Sequence, residues 1–132
     1  MIKSVNKRTQ LAVEMMLIAA QKQEATSSSG FAKHLNISVK YAEQVLLLLR
    51  KSGLLLSKKG ADGGFVLAKA PSAISMATII EAIEGKSIFA QAGLKAKGFW
   101  LGFFEVVDTY FEQSLQDVLV KVNQERVLEY SI

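Results

Sequence analysis

Apolar residues recur along this chain with two periods, and the change from one to the other marks its plan. Between positions 7 and 22, Leu11, Met15, Ile18 and Ala19 fall at the i, i+4, i+7, i+8 spacing of one helix face, which Val13, Met16, Leu17 and Ala20 broaden. Asn6 is placed to cap that helix. Gln23 to Thr26 carries no periodic signal and reads as a connection. Ser27, Ser28 and Ser29 then offer caps for a short helix bearing Phe31, Ala32 and Leu35. Asn36 tolerates left-handed backbone, and Ile37 can pin the turn that follows. Ser38 caps a longer helix that turns Tyr41, Ala42, Val45, Leu46, Leu48 and Leu49 inward. That helix ends near Ser52, with Gly53 suited to the position after it.

The pattern then becomes that of strands. Residues 54–58 and 64–67 read as two short strands joined by Gly60-Ala61-Asp62-Gly63, with positive φ expected at the glycines. Pro71 ends the hairpin, Ser75 caps a helix buried along Met76, Ile79, Ile80 and Ile83, and Gly85 stops it. Residues 86–98 read as a loop or weak helix, a connecting or effector region. From Phe99 to Val122 the pattern predicts one long helix with two adjacent stripes, one through Phe103, Val107, Tyr110, Phe111, Ser114 and Val118, the other through Trp100, Phe104, Phe111, Leu115 and Leu119. Asn123 then caps a short final helix through Tyr130. So wide an apolar face exceeds what one small domain covers, and a second copy of the same helix is its natural cover. The expected homodimer interface is Trp100, Phe103, Phe104, Val107, Phe111 and Val118.

The fold class that follows is mainly α with a small β-hairpin. Residues 1–85 form a winged helix-turn-helix, 86–98 connect, and 99–132 hold the dimerisation helix and a short C-terminal helix. In helix-turn-helix proteins the N-terminal part of the second helix reaches base edges. That leaves Val39, Lys40, Glu43 and Gln44 toward the outside near the helix start: Gln44 suits adenine, Glu43 suits cytosine N4, and Lys40 suits guanine or a phosphate. Lys58, Lys59 and Gly60 form a basic hairpin tip fit to lie along the backbone or enter a narrow minor groove. Lys7 and Arg8 in a helix's first turn, and Ser28 at another, suit phosphates.

Charge sharpens this picture. Residues 1–75 hold 11 Lys and Arg against 4 Asp and Glu, a balance of +7, whereas 76–132 hold 5 against 8, or −3. A basic front half suits a polyanion, here double-stranded DNA. The chain has no cysteine, which excludes disulfides and thiolate zinc or iron–sulfur ligation, so no cofactor is expected. Its one histidine, His34, would stand alone as a metal ligand and has no carboxylate or nucleophile arranged with it. No metal site and no catalytic set are expected, and the chain is not read as an enzyme. Gly85-Lys86-Ser87 is no phosphate loop, because Ile80 stands where the first glycine should be. The apolar run at the start is broken by Glu14 and too short for a membrane span, so a cytoplasmic location is expected.

The residues also carry a family likeness. Ile37, Ser38, Tyr41, Glu43, Gln44, Leu46, Leu49, Arg50, Lys51, Gly53, Leu54, Gly60, Gly63, Gly64, Phe65, Leu67, Pro71, Ile74, Ile79 and Glu81 to Gly85 make a pattern that resembles the Rrf2 family of bacterial winged-helix regulators. The likeness runs from residue 1 to about 122 and is most specific over 37–85. It implies a homodimer on a partly palindromic operator, adds Ser38 and Tyr41 to the reading helix, and makes Lys59 the basic wing-tip residue. Cluster-binding members place three cysteines before the dimer helix, and this chain has none. The resemblance therefore implies a cluster-free member answering to a small-molecule or protein effector that the sequence does not name. The leading function is sequence-specific transcriptional regulation, by repression. The alternative is a winged-helix adaptor that binds proteins rather than specific DNA.

Overall fold

The structure, a computed structural model, describes residues 6–85 and 95–130, the last four by backbone alone. Four helices start where a side-chain oxygen takes up an orphan backbone amide. Asn6 Oδ1 accepts from Arg8 N–H and opens α1, Lys7–Gln21. Ser27 Oγ accepts from Gly30 N–H and opens α2, Ser28–Leu35. Ser38 and Ser75 do the same for α3, Val39–Lys51, and α4, Met76–Glu84. Between α3 and α4 lie β1, Leu55–Lys58, and β2, Gly64–Leu67, paired antiparallel with Leu55 opposite Leu67 and Lys58 opposite Gly64. Pro71–Ala73 makes a single 3-10 turn after them. The fold class expected from the pattern, mainly helical with one small hairpin, is the one observed.

One core holds these elements together. Met15 and Met16 of α1, Phe31 of α2, Val45, Leu46 and Leu49 of α3, Ile79 of α4 and the strand residue Leu55 are all fully buried. Each such side chain contributes about 1.5–3 kcal/mol on leaving water. The effect is to clamp α3 by its inner face between α1, α2 and the hairpin.

The C-terminal third departs from expectation. The single helix expected from Phe99 to Val122 is two helices, α5, Lys97–Phe111, and α6, Leu115–Tyr130. Two sets of bonds stop the first. Met76 N–H donates to Gln113 O at 2.9 Å and Leu115 N–H donates to Ile74 O at 2.8 Å, a one-residue β-bridge between Ser75 and Ser114. Ser114 and Asp117 then close a reciprocal capping box: Ser114 Oγ accepts from Asp117 N–H and Asp117 Oδ2 accepts from Ser114 N–H. The break thus falls at 112–114, and Asn123 lies inside α6 rather than capping a further helix. Leu115 and Leu119 are buried in the chain's own core, and Val118 packs against it. Val118, half-buried, thus lies on α6, a different helix from the other five residues expected at the dimer interface. By contrast, α5 has no buried residue at all. The connecting assignment of 86–98 falls largely outside the described residues, and its last two residues begin α5.

Candidate nucleic-acid interface

The α2–α3 turn is set by Asn36, in the left-handed region at φ +55°. Ile37 N–H reaches back to Ala32 O at 3.0 Å, satisfying a helix-end carbonyl, while Ile37 packs against the core. α3 ends by the same device, with Gly53 at φ +78° and Leu54 N–H bonded to Leu49 O at 3.0 Å. Both ends of α3 are thus fixed, and its rotation is fixed by burial of Ala42, Val45, Leu46 and Leu49. That rotation leaves Val39, Lys40, Glu43 and Gln44 exposed. Ser38 is exposed too, but its oxygen already accepts from Tyr41 N–H at 3.1 Å. Capping leaves its O–H able to donate. Tyr41 is half-buried and packs against the core, so positioning α3 is part of its work.

The same surface includes a residue that the sequence reading passed over. Leu47 is 38% exposed although leucines surround it in sequence. Its signal is spacing: it follows Glu43 by four residues and Gln44 by three, so it shares their face. An apolar side chain there suits a thymine methyl.

The wing is tied to the helix-turn-helix by a contact that the pattern does not show. Thr26, read as connection, exchanges both backbone hydrogen bonds with Phe65 of β2, at 3.1 and 2.8 Å. Thr26 immediately precedes the Ser27 cap, so the bridge ties the wing to the start of α2. Arg50 Nη1 also donates to Ser57 Oγ at 3.3 Å, joining the last turn of α3 to β1. At the tip, Gly60 has φ +109° and Gly64 has φ +148°. Gly63 does not need positive φ; a Cβ there would lie 2.3 Å from Lys58 O, so crowding alone requires glycine. Lys58, Lys59 and Gly60 are all exposed.

Lys7 and Arg8 are exposed in the first turn of α1. Ser27 rather than Ser28 caps α2, and Ser28 is its half-buried first residue. No acidic residue sits in the first turn of α1, α2 or α3, so the partial positive charge of three helix N-termini goes unopposed there. Thr9, buried one residue after Arg8, donates its hydroxyl to Glu84 and so ties this end of α1 to the end of α4. The interface candidates thus lie on α1, α2, α3 and the hairpin. The structure joins the last three through the turn, the Thr26 bridge and Arg50.

A helix with a locked inner face and an exposed outer face, beside a basic hairpin, is the arrangement of a winged helix-turn-helix. A family model described as "Rrf2: Iron-dependent Transcriptional regulator" matches residues 5–100, well over half of the chain. The chain belongs to the Rrf2 family. It is similar to the HTH-type transcriptional regulator CymR of Bacillus subtilis, at 37% identity over 82 residues that make up 62% of this chain and 59% of that protein. The chain therefore spans less than two-thirds of the length of the curated relatives it matches, 59% for CymR. Among solved structures, that of CymR, the global cysteine regulator of B. subtilis, superposes with a TM-score of 0.82 at 27% identity, covering 91% of this chain and 98% of that one. The IscR of T. potens follows at 0.78 and 28% identity, covering 91% and 88%. These Rrf2 relatives are named as transcriptional regulators, not enzymes.

The family's description names iron, and the chain offers no thiolate to hold an iron–sulfur cluster. The chain has no cysteine, and its one histidine, His34, is exposed on α2. Among the described residues no three His, Cys, Asp or Glu side chains gather as a metal site. This donor set does not fit a thiolate-held cluster. Nor, among the described residues, is any helix long and apolar enough to cross a membrane.

Proposed function

We propose that this Rrf2 protein is a sequence-specific DNA-binding regulator that acts as a homodimer on a partly palindromic operator and represses by occluding the promoter. The observation that carries this reading is the outer face of α3. Lys40, Glu43, Gln44 and Leu47 are exposed together on a helix whose opposite face is fully buried, directly after a short helix and a tight turn. Lys58 and Lys59 on the wing, with Lys7 and Arg8 on α1, supply phosphate contacts. The face left open on α5 supports the homodimer. The missing cysteines support regulation without a cluster, through a small-molecule or protein effector, in the cytoplasm.

The test is a binding comparison between operator and random duplex. The operator is first recovered by selecting genomic fragments that the protein retains. Glu43→Ala with Gln44→Ala should lose roughly 1–3 kcal/mol of discrimination per lost base contact, with random-duplex affinity unchanged. A double variant that separates the two duplexes as well as the wild type does would remove α3 from the reading role. Wild-type protein that shows no preference for any fragment would favour the adaptor reading.

A further inference from the structure

Leu47 is misplaced for a leucine that serves only the fold. Its neighbours in sequence pack inward: Leu46 and Leu49 are fully buried and Leu48 is half-buried. Leu47 itself is 38% exposed. At 3.6 residues per turn it projects roughly 150° from the middle of the stripe made by Ala42, Val45, Leu46 and Leu49. Turning α3 to cover Leu47 would bring the fully buried Val45 and Leu46 into water, and both helix ends are pinned by the bonds described above. The side chain is therefore held outward.

What surrounds Leu47 narrows what it can meet. Lys40, Gln44, Leu47 and Lys51 follow one another at 4, 3 and 4 residues, so they form one exposed stripe. Leu47 is the apolar member of the four, with Lys51 a turn beyond it and Lys40 two turns before it. An apolar groove on a protein partner would have to bury those cations to reach it. A DNA major groove would not, because phosphates line its walls while the thymine methyl gives its floor an apolar feature. Spacing argues the same way. Lys40, Glu43, Gln44 and Leu47 stand 3, 1 and 3 residues apart. That is the spacing of the base-reading positions on a homeodomain's recognition helix, where the fourth lies nearly one turn beyond the third. Leu47 also lies about 4.5 Å further along the helix axis than Gln44, a little over one base-pair step of about 3.4 Å.

We propose that Leu47 reads the 5-methyl group of a thymine, one base pair along the groove from the pair that Gln44 contacts. The operator then owes part of its specificity to a methyl group as well as to hydrogen bonds. This rests on the DNA-binding reading above and names the base chemistry at the far end of the reading face.

The test uses the full chain and the operator recovered by fragment selection. Each thymine of a half-site is replaced in turn by deoxyuridine, which removes the methyl and keeps every hydrogen-bonding group. Fluorescence anisotropy then gives the affinities. At one thymine the wild type should bind roughly fourfold more weakly per methyl removed, the worth of one buried methyl group. Leu47→Ala should bind the thymine operator more weakly by at least that factor and be indifferent to uracil at that place. Leu47→Met, which keeps an apolar reach, should keep most of the methyl dependence. Both variants should hold the wild-type urea midpoint, because the side chain is exposed. Single base-pair changes tested against Gln44→Ala locate the pair that Gln44 contacts, and the sensitive thymine should be next to it. Wild-type protein that binds every uracil operator as tightly as the thymine operator overturns the inference and leaves DNA binding standing. A methyl effect that persists in Leu47→Ala also overturns it, because another residue then reads the methyl. A sensitive thymine away from the Gln44 pair overturns the register. Wild-type protein that prefers no genomic fragment overturns both this inference and the DNA-binding reading on which it rests.

Discussion

Gly64 shows how much of the wing is decided by one residue. Its backbone sits at φ +148°, and an added Cβ would lie 2.3 Å from the carbonyl oxygen of Thr26. That clash is with backbone, so no side chain can move aside to relieve it. Gly53 is a useful contrast, also at positive φ but with nothing within 4 Å of the place a Cβ would take. Gly53→Ala should therefore cost only the left-handed strain of an L residue, about 1 kcal/mol. Gly64→Ala adds displacement of the Thr26 bridge, for a total of roughly 3 kcal/mol. Urea unfolding of the two variants measures the difference. Equal losses would mean that Thr26 and β2 are not in contact in solution. The α3 side chains proposed to read DNA differ in kind: they are exposed, so changing them should alter binding while leaving stability within about 0.5 kcal/mol.

At the scale of elements, the break between α5 and α6 matters most, because it separates a helix that sends Leu115 and Leu119 into the chain's core from one with no fully buried residue. The Ser114–Asp117 box holds that break. Hydrogen bonds from Ser114 N–H and then from its hydroxyl, helped by nearby Lys121, hold the Asp117 carboxyl below its ordinary pKa. A carboxylate with a depressed folded pKa adds stability above its unfolded pKa, and that stability is lost as pH falls through the folded value. Asp117→Asn should accordingly be less stable than the wild type at neutral pH and match it in acid, as denaturant melts at the two pH values would show. A gap that persists unchanged in acid would assign the loss to packing instead of the carboxylate. This break is only partly legible in the sequence. The Ser114-x-x-Asp117 signature is present, but apolar residues run through it on both sides, and continuous periodicity argues for one helix. What decides the matter is pairing with Ile74 and Met76, some forty residues away, which no local pattern carries. Thr26 escapes notice for the same reason, since a one-residue bridge has no period. The helix-turn-helix is legible because its signals are local: Ser27, Ser38 and Ser75 as caps, and Asn36 and Gly53 as left-handed stops. Leu47 shows the limit of reading by residue type, since its position on the helix outweighs its hydrophobicity.

For the whole molecule, the uneven charge becomes a quantitative statement once the protein is taken as a dimer. Residues 1–75 carry a balance of +7, and the exposed cations on α1, α3 and the wing lie in that part. Each phosphate neutralised by a cation releases counterions, so the logarithm of the binding constant falls with the logarithm of salt by about 0.9 per contact. Lys59 sits at the exposed wing tip, next to the positive-φ glycine that shapes it. If both wings of a dimer touch backbone, Lys59→Ala removes two contacts at once. The salt slope should then shrink by nearly 2, and affinity should fall similarly on operator and random duplex. Fluorescence anisotropy over a series of salt concentrations gives the slope directly. A change near 1 would mean that one wing engages and the other does not, which a symmetric dimer on a palindromic site does not allow. No change would place the wing off the DNA and leave the grip to α1 and α3. A drop confined to the operator would instead make Lys59 a base reader, reaching a groove edge where the charge argument gives it only a phosphate.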